Sequence, residues 1–296
     1  MASTRPVTST AMSSGNNSKD SPFQLVEVPL NLEPILKQRL PLSTNVYNAM
    51  RLNRTWQKDQ TWFTLHDPSV DDVWIVMTFL RKDFGRVLCI SRPPAAGITP
   101  FVQNAFSNCE FMEWGESFTF EAIDTTVSSM VTEISIREKG NWTQVHPCYL
   151  FAMDQEEAVS LTITPGNYEV KPINNEKGMD FILKTWKYAS DGSRDYVEKC
   201  LQRSNSAGVY VNGEIAAGVI FEGHGVIGML YSLSEHRGKG FARLVMHQLM
   251  KESAENQLVP GCMVELRNDI SKTFQEKIGF KIAAKVDFVI YVKTGF

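Results

Sequence analysis

Between Ser232 and Met250 the chain reads SLSEHRGKGFARLVMHQLM, which places Glu235, His236, Arg237, Gly238, Lys239 and Gly240 between an apolar run and an amphipathic one. A turn of this composition can bind an anion. Upstream, VIGMLYSL (Val226 to Leu233) has the length and make-up of a buried strand. Downstream, Phe241, Leu244, Val245, Leu249 and Met250 recur at three- and four-residue intervals, one face of a helix. Amides in such a strand-to-helix turn have no ladder partner and no carbonyl four residues earlier, so they are free donors at a helix end that carries partial positive charge. Gly238 and Gly240 leave no Cβ in the way, and Arg237 and Lys239 add charge from the rim. The chemistry expected is a grip on a diphosphate. The turn is neither a Walker loop nor a dinucleotide fingerprint, lacking GxxxxGK[ST] and GxGxxG. Its plain alternative is a glycine-ended connection with solvated charges.

The elements that must position this turn are read from periodicity. A chain of 296 residues, 43% hydrophobic and 21% charged, suggests a globular protein of two modest domains. A net charge of −3 gives no field that would gather nucleic acid or an anionic membrane, and no apolar run approaches the roughly 20 residues needed to cross a bilayer. Cys89, Cys109, Cys148, Cys200 and Cys262 lack CxxC spacing and the histidines lack HExxH, so neither a disulfide framework nor a metal site is expected. Cys200 and Cys262 read as small buried residues rather than nucleophiles. Residues 1–22 are too polar to fold and read as a disordered tail. In residues 23–155 the runs 72–80 and 86–91 form a hairpin, helices follow near 98–108 and 121–137, and a strand covers 148–153. In residues 156–296 a strand at 168–173 and helices at 176–188 and 193–203 precede a hairpin about Asn212-Gly213. The opening strand and helix come next, then a strand at 262–266, a helix near 270–278 and closing strands in KIAAKVDFVIYV. The expected class is α/β, a central mixed sheet with helices on both faces.

Two motifs in order carry a family likeness. Arg237-Gly-Lys-Gly240-Phe241-Ala242 resembles the R-x-x-G-x-G/A signature of the GNAT superfamily of acyl-CoA-dependent N-acyltransferases, and Asn268-Asp-Ile-Ser271-Lys-Thr-Phe274-Gln-Glu-Lys-Ile-Gly279-Phe280 resembles its second signature. WKYASDGSRDYVEKCL (Trp186 to Leu201) and LPLSTNVYN look like the glycine N-acyltransferase-like branch, so the likeness covers most of the chain after residue 35. It implies a C-terminal GNAT fold with a splayed sheet and an N-terminal, degenerate GNAT-like domain. It also implies acetyl-CoA or a longer acyl-CoA as co-substrate, a small-molecule amine acceptor, and direct attack of the amine on the thioester.

By that resemblance, amides of Arg237 to Ala242 hold the pyrophosphate. Backbone donors of Leu230, Tyr231, Ser232 and Leu233 bind the pantetheine arm, and Asn268 and Ser271 touch pantetheine or adenylate. Two departures follow. The glutamate that the vertebrate branch places before the central strand is Val226 here, and the tyrosine that many members place before E-K-x-G-F is Gln275. The nearest titratable substitutes for the first are His224 and Glu222 in FEGHG, the histidine favoured because its ordinary pKa lies near neutrality; solvation is its plain alternative at a hairpin turn. Tyr231 and Tyr291 are candidates for the second, with packing as their alternative. Trp186 and Tyr188 are expected near the acceptor entrance. A CoA-binding protein with little turnover, or acetylation of a protein amine, are the other functional readings. A cytoplasmic location is expected, with the mitochondrion as the alternative by likeness to the vertebrate branch.

Overall fold

The computed structural model describes residues 21–293; the tail expected over residues 1–22 lies, up to residue 20, outside the described residues. The first half contains β1 (Phe23–Leu25), α1 (Glu33–Gln38), α2 (Thr44–Trp56), β2 (Gln60–His66), β3 (Val73–Arg81), β4 (Gly85–Ser91), α3 (Pro100–Ser107), β5 (Phe118–Asp124), α4 (Thr125–Arg137), β6 (Trp142–Ala152) and α5 (Gln155–Val159). The second half contains β7 (Glu169–Lys171), α6 (Glu176–Thr185), α7 (Ser193–Arg203), β8 (Ser206–Val211), β9 (Glu214–Phe221), β10 (Ile227–Ser232), α8 (Phe241–Glu255), β11 (Gly261–Glu265), α9 (Asp269–Lys277) and β12 (Lys281–Val292).

All twelve strands form one mixed sheet in the order β1-β2-β3-β4-β5-β12-β6-β11-β10-β9-β8-β7. The centre is an exchange between the halves. β12 lies between β5 and β6, and β6 lies between β12 and β11, so each half's last strand sits beside strands of the other half. The two parallel contacts occupy equivalent places, β4 with β5 and β10 with β11. Helices cover both faces, which is why β3 (VWIVMTFLR) is buried almost without alternation. One core cluster joins the halves, uniting Trp56, Met77 and Phe79 with Ile182, Tyr196 and Ile220.

The strand–turn–helix read at 226–250 is present. In α8, Phe241, Val245, Met246, Leu249 and Met250 are the buried face. Four sequence expectations are corrected. Residues 121–124 belong to β5, not to a helix: they complete the pairing with β12, and Asp124 caps α4 by accepting from the Thr126 amide at 2.8 Å. α6 stops at Thr185, because Trp186 is extended. The strand expected at 148–153 is longer, β6 beginning at Trp142. The closing run is one twelve-residue strand, held by the long ladder to β6.

The halves are pinned together under the site by Asn48 of α2. Its fully buried amide donates to Gly225 O (2.8 Å) and Val259 O (2.7 Å) and accepts from Val259 N (2.8 Å). Asn48→Leu strands three backbone groups in the interior and is expected to cost about 3 kcal/mol. Urea unfolding checks this; an unchanged midpoint at unchanged slope refutes the pinning role.

Candidate functional site

β10 is aligned antiparallel with β9 but meets β11 only at Ile227 and Cys262. Beyond that pair the two strands part. The register of β10 slips between Gly228 and Tyr231, and Met229 takes a positive φ of 55°, a bulge that bends the strand away from its parallel neighbour. Leu233 N donates to Ala216 O at 2.9 Å, so alternation turns the Ser232 N–H toward the open side. The Ser232 hydroxyl is buried without a hydrogen-bond partner among the described residues. Of the strand donors expected at 230–233, that of Leu233 is therefore committed to β9.

At the end of β10 a short 3-10 turn (Ser234–His236) leads into α8. Arg237 N donates to Ser234 O at 3.3 Å, so the open stretch starts one residue later than expected. From Gly238 to Arg243 the amides have no acceptor among the described residues, and α8 has no side-chain cap. Gly238 and Gly240 both adopt left-handed φ (77° and 81°), and a Cβ at either would meet nothing within 4 Å. Arg237 and Lys239 stand exposed at the rim. These residues fit a diphosphate: open donors, a helix N-terminus, unobstructed approach and local positive charge.

The gap between β10 and β11 opens into a cavity of about 490 Å3. Tyr231 lines it near the turn, its hydroxyl 3.3 Å from Arg237 Nη2. Leu230, Asn268, Ser271 and Gln275 also line it. Asn268 caps α9, accepting from Ser271 N at 3.1 Å, and Gln275 is buried with its Oε1 unpartnered among the described residues. Phe274 is not among the lining residues; it packs against the core beneath α8. Trp186 and Tyr188 line the cavity as well. Tyr291 is elsewhere, in the core of the N-terminal half, where its hydroxyl donates to Trp114 O at 2.7 Å. All five cysteines are free and buried, and burial pushes the Cys200 thiol up to about 12, which suppresses thiolate chemistry. Among the described residues no group of His, Cys, Asp and Glu is placed to hold a metal ion, and no helix is long and apolar enough to cross a membrane.

The far end of the cavity holds a charged cluster that the sequence did not disclose. His224 is not solvated at its turn. It is 2% exposed because the turn folds against the N-terminal half, where Nδ1 meets Glu121 Oε2 at 2.8 Å, and the Tyr196 hydroxyl of α7 lies 3.3 Å from the same nitrogen. Its Nε2 has no partner among the described residues. Glu222 stands 3.9 Å from the same imidazole, its carboxylate pressed on the α-carbon of Gly228; a Cβ there would lie 1.7 Å from Glu222 Oε1. Arg81 closes the cluster. It forms a two-pronged pair with Asp83 (Nε and Nη2, each 2.8 Å), reaches Glu121 at 3.3 Å and stacks over Tyr196.

The electrostatics separate the members. Burial works against the charge on Glu121, but His224 and Arg81 outweigh it and hold this carboxyl below its ordinary pKa. Burial works against the charge on His224 too, yet Glu121 and Glu222 overcome it and raise its pKa. For Glu222 burial prevails, and its pKa is raised. The cluster thus sets an imidazole of raised pKa against a carboxyl of lowered pKa, beside a second carboxyl whose pKa is raised. The stabilisation from Glu121 is present above the ordinary glutamate pKa and lost as pH falls through its depressed value, whereas that from His224 is present below about 6.5 and lost as pH rises through its raised value. Glu121→Gln leaves a buried charge unpaired and is expected to cost about 3 kcal/mol near neutrality while lowering the His224 pKa. Urea unfolding and an NMR titration of His224 read both; an unshifted imidazole contradicts the pairing.

Residues 206–289 match the family model described as FR47-like protein. No curated protein matches the chain. Among solved structures, a Drosophila protein is similar over 92% of this chain and 99% of its own at 15% identity, with a TM-score of 0.77. A GCN5-related N-acetyltransferase from Kribbella flavida covers 83% and 95% at 10% identity (TM-score 0.55). A tandem GNAT protein from the clavulanic acid biosynthesis pathway covers 93% and 100% at 10% identity (TM-score 0.54). The fold is the one these structures share, a mixed sheet flanked by helices.

Proposed function

We propose that this chain is an acyl-CoA-dependent N-acyltransferase that passes an acyl group to the amine of a small acceptor. The observation that carries this reading is a single cavity joining the parted strands β10 and β11 to a half-buried carboxylate of raised pKa. The match of residues 206–289 and the names of the GNAT-fold structures support acyl transfer from CoA. In this reading residues 156–296 bind the thioester, and residues 23–155 build the acceptor side through Arg81 and Glu121. The likeness of the sequence to glycine conjugators supports an amino-compound acceptor, acetyl-CoA or a longer acyl-CoA being the donor.

The amides of Gly238 to Arg243 hold the diphosphate, and the open edge of β10, with Asn268 and Ser271, receives the pantetheine arm. When bound, acyl-CoA supplies an acyl group activated by a good leaving group. Glu222, in its ionised form, takes one proton from the acceptor's ammonium, which frees the nitrogen lone pair to form the C–N bond as the C–S bond breaks. The nitrogen sheds a second proton, which the leaving sulfur gains, and Glu222 returns the first to water. His224, its Nδ1 held 2.8 Å from Glu121 and its pKa raised, serves as a positioning residue for Glu222, not as the base. Tyr231, half-buried on β10 beside the thioester arm, is the candidate donor to the leaving sulfur. The test is release of free thiol from acetyl-, benzoyl- and longer acyl-CoA with a panel of amines.

A further inference from the structure

Resting on that reading, we infer that the acceptor is a primary amine with an apolar or aromatic body and no carboxylate. The cavity walls carry no cation left over for one. Arg81, whose side chain is 2% exposed, spends its hydrogen bonds on Asp83 and Glu121, and withdrawing it would strand Asp83, whose side chain is fully buried. His224 is tied to Glu121. Lys187, at the mouth, is paired with Glu265 at 2.5 Å, and the Tyr188 hydroxyl donates to the same carboxylate. Along the cavity Arg81, Lys187 and His224 thus face the carboxylates of Glu121, Glu222 and Glu265, and Asp83, fully buried behind Arg81, adds a fourth.

A second negative group entering with the acceptor would therefore meet carboxylates without a free counter-charge, whereas an ammonium completes the balance. The walls between these charges are apolar. Phe84 and Trp186 pack edge to face (6.3 Å between centroids), and Met229, Phe288 and Ile290 complete the lining. Such a surface suits a hydrocarbon or aryl body, whose burial supplies affinity that a carboxylate contact would otherwise have to provide.

The experiment uses acceptors that differ only in the carboxylate: 2-phenylethylamine against phenylalanine, and methylamine against glycine. Binding to the CoA-saturated full-length protein is read by calorimetry, and kcat/KM by thiol release with acetyl-CoA. Each amine is expected to exceed its amino acid by at least about tenfold in both readouts, with phenylethylamine the better of the two amines. Glu265→Gln releases Lys187 at the exposed mouth and is expected to shrink that preference about tenfold. Equal or better binding of the amino acids, stronger binding of a short peptide amide than of phenylethylamine, binding of no amine at all, or a preference unmoved by Glu265→Gln overturns the inference. Selective amine binding without thiol release leaves the acceptor class standing and refutes the transferase reading, so the two failures are distinct.

Discussion

Gly240→Glu is expected to weaken CoA binding by at least about 100-fold, equivalent to roughly 2.7 kcal/mol, while the protein remains folded. Position 240 is exposed, ends the turn with φ of 81°, and precedes an uncapped helix. A side chain there meets no neighbour within 4 Å, so its structural cost is the backbone strain of a non-glycine residue in left-handed space, about 1–2 kcal/mol. The larger effect is electrostatic. A carboxylate on the axis of the open amides opposes a diphosphate and competes for the same donors. Gly240→Ala separates the contributions, since it carries the strain without the charge and is expected to lose much less affinity. Calorimetric titration with CoA measures both variants; unchanged affinity in Gly240→Glu refutes the placement of the diphosphate.

Glu222→Gln is expected to lower kcat about 100- to 1,000-fold with little change in affinity for CoA, because the amide keeps the shape pressed against Gly228 but cannot accept a proton. The pH dependence gives the sharper signature. The active form of Glu222 is ionised and its pKa is raised by burial, so turnover in the wild type falls on acidification at a pH above the ordinary glutamate value of about 4.3. That limb disappears in Glu222→Gln. A variant with full turnover and an intact acid limb assigns the base elsewhere.

What the sequence disclosed of this site follows from range. The open turn was legible because strand, glycines, basic rim and amphipathic helix lie within twenty-five residues, Val226 to Met250, and local geometry sets their conformation. Only its first amide was misjudged: Arg237 N–H is taken by Ser234 O, a 3-10 contact that composition does not reveal. The acid–imidazole cluster was illegible for the opposite reason. Glu121 meets His224 across more than a hundred residues, through strand exchange at the centre of the sheet. Reading 121–137 as a helix hid the one local clue, an acid among residues 118–123 of a strand, every one of them buried. The connection between the runs 72–80 and 86–91 was read only as a hairpin turn, whereas its Asp83 is locked by Arg81 and Ser193. The departures at Val226 and Gln275 were visible in the sequence, as was Glu222 among the substitutes for the first, but its placement was not. The carboxylate has a nearby alternative in Glu222, four residues earlier, where the β9–β10 turn returns it to Gly228. Gln275 instead presents a buried, unpartnered carbonyl to the cavity.

The central claim is that one cavity unites an acyl donor held by the second half with an amine held by both halves. Release of free thiol from acetyl-CoA, followed against amine concentration with the product amide identified by mass, tests it most directly. Saturable, amine-dependent release that is lost in Glu222→Gln is the expected result. CoA binding with no amine raising thiol release above the rate in water contradicts it.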